Sequence, residues 1–236
     1  MSLSLRGRNA LITGASSGIG RAVALRLASL GCRVGISARR AERLETLAAE
    51  IRAEHPESEV ECLPCDLRDT AAIEAMFDRF RQRWGGVDIM INNAGLGKRA
   101  PLSSGETDKW REMLEVNVLA LCVCTREAVT DMKARGDKGH VVHIASMASH
   151  RVPINSGVYS ATKFAVRSLT EGLRLELREA GSKTRVSAIS PGFVETEFAE
   201  VYHGRPEAAR ETYSRFPVLQ SEDIADAVAY VLTAPE

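Results

Sequence analysis

The stretch Thr13-Gly14-Ala15-Ser16-Ser17-Gly18-Ile19-Gly20 decides how this chain folds. It follows directly on the apolar run at 9–13 and opens into a helical pattern near 18–30. Gly14 lets the chain turn tightly, Gly18 lets backbone approach a pyrophosphate, and Gly20 lets helix and strand pack closely. Backbone amides in this turn, including those of Ser16, Ser17 and Ile19, then face the phosphates at the helix N-terminus. The spacing is Gly-x3-Gly-x-Gly rather than Gly-x-Gly-x2-Gly. Strand-to-helix turns need glycine in any case, so the stretch takes its meaning from its setting.

That setting is a repeated alternation. Short β-branched runs at 9–13, 33–37, 60–64, 87–91, 140–144 and 185–190 read as strands. Most carry apolar residues in succession, as parallel strands covered on both faces do. Helical patterns lie near 18–30, 41–54, 70–84, 108–134, 157–180 and 221–233, the last with Ser221 as its expected N-cap. Six β–α alternations predict a single α/β domain over 1–236, a doubly wound, Rossmann-like parallel sheet. The long aperiodic stretch 191–219 is expected to be a mobile substrate loop.

Composition narrows the function. The 236 residues hold 31 Lys plus Arg against 31 Asp plus Glu, so no basic footprint for nucleic acid or membrane is expected. With 44% hydrophobic and 26% charged residues the chain is ordinary for a globular domain. No apolar run is long enough to span a bilayer and no signal core precedes the first strand, so the expected address is the cytoplasm. Five cysteines are an odd number for a disulfide framework. Cys62 and Cys65 are three apart on a strand and point to opposite faces, so no metal site is expected there.

An acidic residue at the end of the second strand would hold a ribose 2′-hydroxyl. Here that strand ends Ser37-Ala38-Arg39-Arg40, with no carboxylate and two guanidiniums suited to phosphate. NADP is therefore the expected cofactor, with Arg39 the favoured 2′-phosphate ligand; Arg40 equally reads as the opening of a solvated helix. Asp66 closes the third strand, either beside an adenine amino group or as a helix cap.

Tyr159 and Lys163 are four apart and share one helical face. Ser146, after the fifth strand, and Asn92-Asn93-Ala94-Gly95, after the fourth, come to the same sheet edge. Asn117 stands in an otherwise apolar helix, where asparagine is a poor interior residue: a satisfied buried amide or a group held for chemistry.

In joint order and spacing these residues, with Pro191-Gly192, resemble the short-chain dehydrogenase/reductase family over essentially the whole chain. The motifs Asn117-Val118-Leu119-Ala120-Leu121, Ser149-His150-Arg151-Val152 and Val194-Glu195-Thr196 are similar to a subgroup associated with NADPH-dependent reduction of carbonyl compounds, including keto-steroids. The resemblance implies Tyr159 as acid/base, Ser146 as donor to the substrate oxygen, and Asn117 as holder of a proton-relaying water. It implies cofactor contacts from Asp66, Leu67, Asn93, Ala94, Gly95, Tyr159, Lys163, Pro191, Gly192, Val194 and Thr196. Lys163 is expected to lower the phenol, since three pKa units cost about 4 kcal/mol and one ammonium about 4 Å away supplies roughly that. Phe193, Phe198, Tyr202, His203 and Phe216 in the 191–219 stretch suggest a bulky apolar carbonyl substrate; His203 with Arg205 keeps a small 3-hydroxy acid open, and a 3-oxoacyl thioester is another alternative. A remote alternative is a non-catalytic dinucleotide-binding regulator. A homodimer or homotetramer is expected from the family.

Overall fold

The computed structural model describes residues 3–235 apart from Pro206, 208–210, Thr212, Arg215 and Phe216, so the expectation for Phe216 lies outside the described residues. Among the described residues the strands are β1 (Asn9–Thr13), β2 (Arg33–Ala38), β3 (Val60–Pro64), β4 (Ile89–Asn92), β5 (His140–Ile144) and β6 (Arg185–Ile189). They form one parallel sheet in the order β3-β2-β1-β4-β5-β6. The order reverses between β1 and β4, and ligands of open α/β sheets bind in the crevice at the carboxyl end of that reversal.

The helices whose bounds are described are α1 (Gly18–Ser29), α2 (Ala41–Glu54), α3 (Thr70–Trp84), α4 (Thr107–Leu114), α5 (Ala120–Ala134), α6 (Gly157–Glu179), α7 (Phe198–His203) and α8 (Ser221–Thr233). Two cores sandwich the sheet. Val23 and Leu27 of α1, Leu44 and Ile51 of α2 and Val228 of α8 pack with Ile12, Ile36 and Ile91 on one face. Phe77 and Phe80 of α3 and Cys124 and Met132 of α5 pack with Leu11, Met90 and Val141 on the other. Leu11 and Ile12 fall into different cores because successive strand side chains point to opposite faces. By the same rule Cys62 enters the first core and Cys65 the second.

Several details of the elements differ from the sequence reading. The fourth strand starts at Ile89 rather than 87, because the Val87 amide donates to the Asp131 carboxylate instead of a strand neighbour. β6 ends at Ile189, one residue before the expected 190. The helical pattern at 108–134 is not one α-helix: a π-helical turn, Glu115–Leu119, separates α4 from α5, and the Ala120 amide reaches back five residues to the Glu115 carbonyl. Ser221 is not the cap of α8 but its first residue; Gln220 caps it, its own amide donating to Asp223 at 2.7 Å.

The 191–219 stretch has structure of its own. It carries α7, and its ends meet in an isolated parallel bridge between Val194 and Leu219, with Glu195 donating to the Leu219 carbonyl at 2.9 Å. Among the described residues no helix is long and apolar enough to cross a membrane.

Candidate active site

At the crossover of β1 and β4 the glycine turn is held by hydrogen bonds. Thr13 Oγ1 accepts from the Asn93 and Ala94 amides, and the Asn93 side chain donates to the Thr13 and Gly14 carbonyls at 2.9 and 3.2 Å. Gly14 has φ +68°, and a Cβ there would stand 2.8 Å from Ala94 Cα, so this position needs glycine twice over. A Cβ on Gly20 would stand 2.4 Å from the Gly14 carbonyl oxygen, so α1 packs directly on the turn. Ser17, the N-cap of α1, makes no side-chain capping bond and the first turn carries no acidic residue. The N-terminal amides of α1 are thus left for an outside acceptor, and together with the glycine turn they fit a pyrophosphate.

The end of β2 lies beside this turn. Arg40 Nε and Nη2 donate to the Ser16 hydroxyl at 3.1 and 2.9 Å, and Nη2 also to Ser17 at 2.9 Å. Its Nη1 reaches Glu197 in the 191–219 stretch, which Arg43 also holds. Arg39 projects the other way, 4.0 Å from Glu112, a carboxylate also approached by Arg68 and Lys98. Arg40, rather than the favoured Arg39, touches the glycine turn. Asp66 is not the helix cap; Asp69 caps α3 through the Ala71 and Ala72 amides. Asp66 instead takes bonds from Arg68, which hold its carboxyl below the usual carboxylate range.

On α6, Tyr159 and Lys163 rise side by side from the first turns. Ser146 follows β5, and its hydroxyl lines the cavity with the Tyr159 phenol, near enough to favour the ionised form. Burial pushes that phenol up to about 12, against the Ser146 hydroxyl, which lowers it. The phenol thus stands above its ordinary range rather than below it. Lys163 is itself buried, its Nζ donates to the Ile144 carbonyl at 2.9 Å, and burial brings it down to about 8. Asn117 lies in the π-helical turn. Its Oδ1 accepts from the Leu96 amide at 2.9 Å, and its Nδ2 donates to the Leu96 carbonyl and to Thr162 Oγ1 at 2.8 and 3.0 Å. A Cβ on Gly95 would stand 3.4 Å from Lys163 Nζ and 3.5 Å from Asn117 Oδ1, so these groups converge behind a bare stretch of backbone.

Beneath them His143 of β5 is buried between Thr125 and Thr170. Thr170 Oγ1 donates to the Val166 carbonyl, so it must accept from His143 Nδ1. Nε2 then accepts from Thr125, whose oxygen takes a bond from Asn92 Nδ2. The network is complete for the neutral Nδ1–H ring. Burial, and next the Lys163 charge, lower this histidine to about 4.

A cavity of about 600 Å³ runs from the end of β2 to Tyr159. Every cofactor residue expected from the sequence lines it except Gly20, which sits under the turn; Asn117 stands behind the wall. Phe198 packs on the Tyr159 ring at 5.4 Å between centroids, and Tyr202 meets it edge-on at 6.3 Å. A Cβ on Gly97 would stand 2.6 Å from Phe198 and 2.8 Å from Tyr202, so the bare backbone at Gly97 admits both rings. Met147, Ile154, Phe193 and Val201 are exposed around the mouth. His203 lines the cavity while Arg205 turns away to Glu211.

Sequence reasoning missed Thr13, Arg43, Gly97 and Glu197. The hydroxyl next to the first glycine was a usable signal for Thr13. For the other three, the contacts join segments far apart in the chain, and no local pattern marks them.

The short chain dehydrogenase family matches this chain over residues 8–205. Dehydrogenase/reductase SDR family member 11 of Bos taurus is 50% identical over 234 residues, covering 98% of this chain and 92% of that protein. Among solved structures, the closed form of a serine dehydrogenase complexed with NADP+ superposes with a TM-score of 0.88 at 33% identity, covering 96% of this chain and 90% of that one. A short chain dehydrogenase/reductase from Burkholderia phymatum in complex with NAD gives 0.87 at 31% identity, with 98% and 89% covered.

Proposed function

The chain belongs to the short chain dehydrogenase family, as an oxidoreductase acting on alcohol and carbonyl groups, and from that premise we propose that it uses NADP(H) to reduce medium-to-bulky apolar ketones or aldehydes. The observation that carries the substrate reading is the aromatic wall of Phe198 and Tyr202 against Tyr159, continued outward by the exposed apolar mouth. The turn of Arg205 away from the cavity speaks against a small acid. The guanidiniums at the end of β2, with no carboxylate at Ala38 or Arg39, support the NADP reading.

The cofactor, when bound, supplies the hydride. Tyr159 gives its proton to the carbonyl oxygen as negative charge builds there. A phenol held near 12 stays protonated through neutral pH, which is the form a reduction needs, and an alkoxide is basic enough to take the proton. Ser146 donates to the oxygen that carries charge, first the substrate's and then the phenolate's. Lys163, brought down to about 8, gives up a proton near neutral pH far more readily than an exposed lysine, and so can refill Tyr159. Asn117 fixes the Leu96 backbone and Thr162 around that ammonium.

We place the enzyme in the cytoplasm as a homodimer or homotetramer. Exposed Leu114, Leu119, Phe164 and Leu175 on the α4–α5 and α6 surfaces are apolar side chains that pairing would cover. The 191–219 stretch is its mobile substrate loop. Depletion of NADPH with aromatic ketones, quinones, steroids, 3-oxoacyl thioesters and small keto acids tests the function. Turnover is expected with the apolar ketones; turnover with the small keto acids alone would overturn the substrate reading, and none with any carbonyl would favour a regulator.

A further inference from the structure

Glu197 lies between Thr196 and the first residue of α7, within ion-pair reach of the start of α2. Two guanidiniums hold its carboxylate: Arg43 Nη1 donates to Oε1 at 2.6 Å and Arg40 Nη1 to Oε2 at 3.0 Å. Arg40 at the same time covers the Ser16 and Ser17 hydroxyls of the glycine turn. Arg40, Glu197, Ser16 and Ser17 all line the cavity. Partial burial works against the carboxylate, but the bonds from Arg43 and Arg40 outweigh it and keep Glu197 anionic.

We propose that Glu197 is a specificity-determining residue that competes with a ribose 2′-phosphate for Arg40 and Arg43, and so limits the preference for the 2′-phosphorylated dinucleotide. The inference rests on reading the end of β2 as the ribose 2′ site. A guanidinium fork matches carboxylate and phosphate alike, so the Glu197 carboxylate occupies on these arginines the place a phosphate would take. A 2′-phosphate brings a charge of about −1.5 to −2 near pH 7 and must either displace the carboxylate or share its cations with it. A ligand that ends in a 2′-hydroxyl makes no such demand and leaves both ion pairs in place. Removing the carboxylate therefore strengthens binding of the phosphorylated ligand and leaves the other unchanged.

The test uses adenosine 2′,5′-bisphosphate and adenosine 5′-monophosphate, which differ only in the 2′-phosphate. Their affinities are measured by titration calorimetry at low ionic strength for the wild type, Glu197→Gln and Glu197→Asp. Glu197→Gln is expected to tighten the bisphosphate about threefold or more, to leave the monophosphate within about twofold, and to lose this advantage in high salt. The factor is modest because the three side chains are 41–48% exposed and their attraction is screened. Glu197→Asp, which keeps the charge, is expected to stay near the wild-type ratio. An unchanged ratio in Glu197→Gln, or equal changes for both ligands, would overturn the proposal. If the glutamine variant does not fold, Glu197→Ala is read in the same way. Wild-type protein that binds the two ligands equally would count against the NADP(H) reading, and a ratio that rises in Glu197→Gln would still support the role of Glu197.

Discussion

Tyr159 and Lys163 are displaced in opposite directions by the same cause. Burial favours the neutral form of each, so the phenol rises to about 12 and the ammonium falls to about 8. Of the two, the tyrosine holds the proton more firmly. Tyr159→Phe is expected to lower kcat by 10²-fold or more while NADPH affinity, read by fluorescence titration, changes less than about threefold; a loss in kcat below tenfold would remove Tyr159 as the acid. Lys163→Met should move the pH midpoint of kcat/KM for alcohol oxidation, and an unmoved midpoint would separate Lys163 from the proton path. The i, i+4 spacing made the pair legible in the sequence. The carbonyl that Lys163 would grip was not, because the Ile144 oxygen arrives from a strand 19 residues away and its placement depends on the sheet.

Between residue and fold, the elements show where local patterns fail. Asn117 stood out as a polar residue among Val116, Val118 and Leu119, yet the π-helical turn around it left no trace in the apolar period. One extra residue per turn is a small change in phase, and it follows from tertiary bonds to Leu96 and Thr162 that no helix pattern contains. Asn117→Ala strands both the amide and the carbonyl of Leu96 and should cost about 1–3 kcal/mol in urea unfolding, with a larger proportional loss in kcat than in NADPH affinity. α7 is the second such case, hidden in a stretch without clear periodicity, and its seat depends on the bare backbone at Gly97. Gly97→Val would drive side-chain atoms into the rings of Phe198 and Tyr202. The expected outcome is a rise in KM for bulky ketones of about tenfold or more with cofactor affinity kept; unchanged steady-state kinetics would mean that α7 does not face the substrate.

The molecule as a whole carries two neutral histidines in β5, one strand in from the edge of the sheet. His143 is lowered to about 4, first by burial and then by Lys163, and His140 to about 3, by burial, Arg185 and Arg8. In the unfolded chain both take up protons near pH 6.5, so the unfolded state binds more protons and stability falls as pH drops below that value. The loss continues to about pH 4 for His143 and about 3 for His140, where the folded forms also titrate. Between pH 7.5 and 5.5 each histidine should remove about 1 kcal/mol, a window in which carboxylates scarcely change. Urea midpoints across that window test it, and a flat profile would contradict buried neutral rings. The sheet itself was the most legible feature, since most strands carry apolar residues in succession, the mark of two covered faces. Arg40 and Glu197 were illegible for the opposite reason, being joined only because the chain returns to the same edge 157 residues later. The bridge from Val194 to Leu219 acts as a clasp on the stretch that carries α7. A loop whose two ends are already joined can be lengthened at little thermodynamic cost, about 0.6 kcal/mol for each doubling. Changes of length between the clasped ends are therefore expected to leave the sheet beneath them standing.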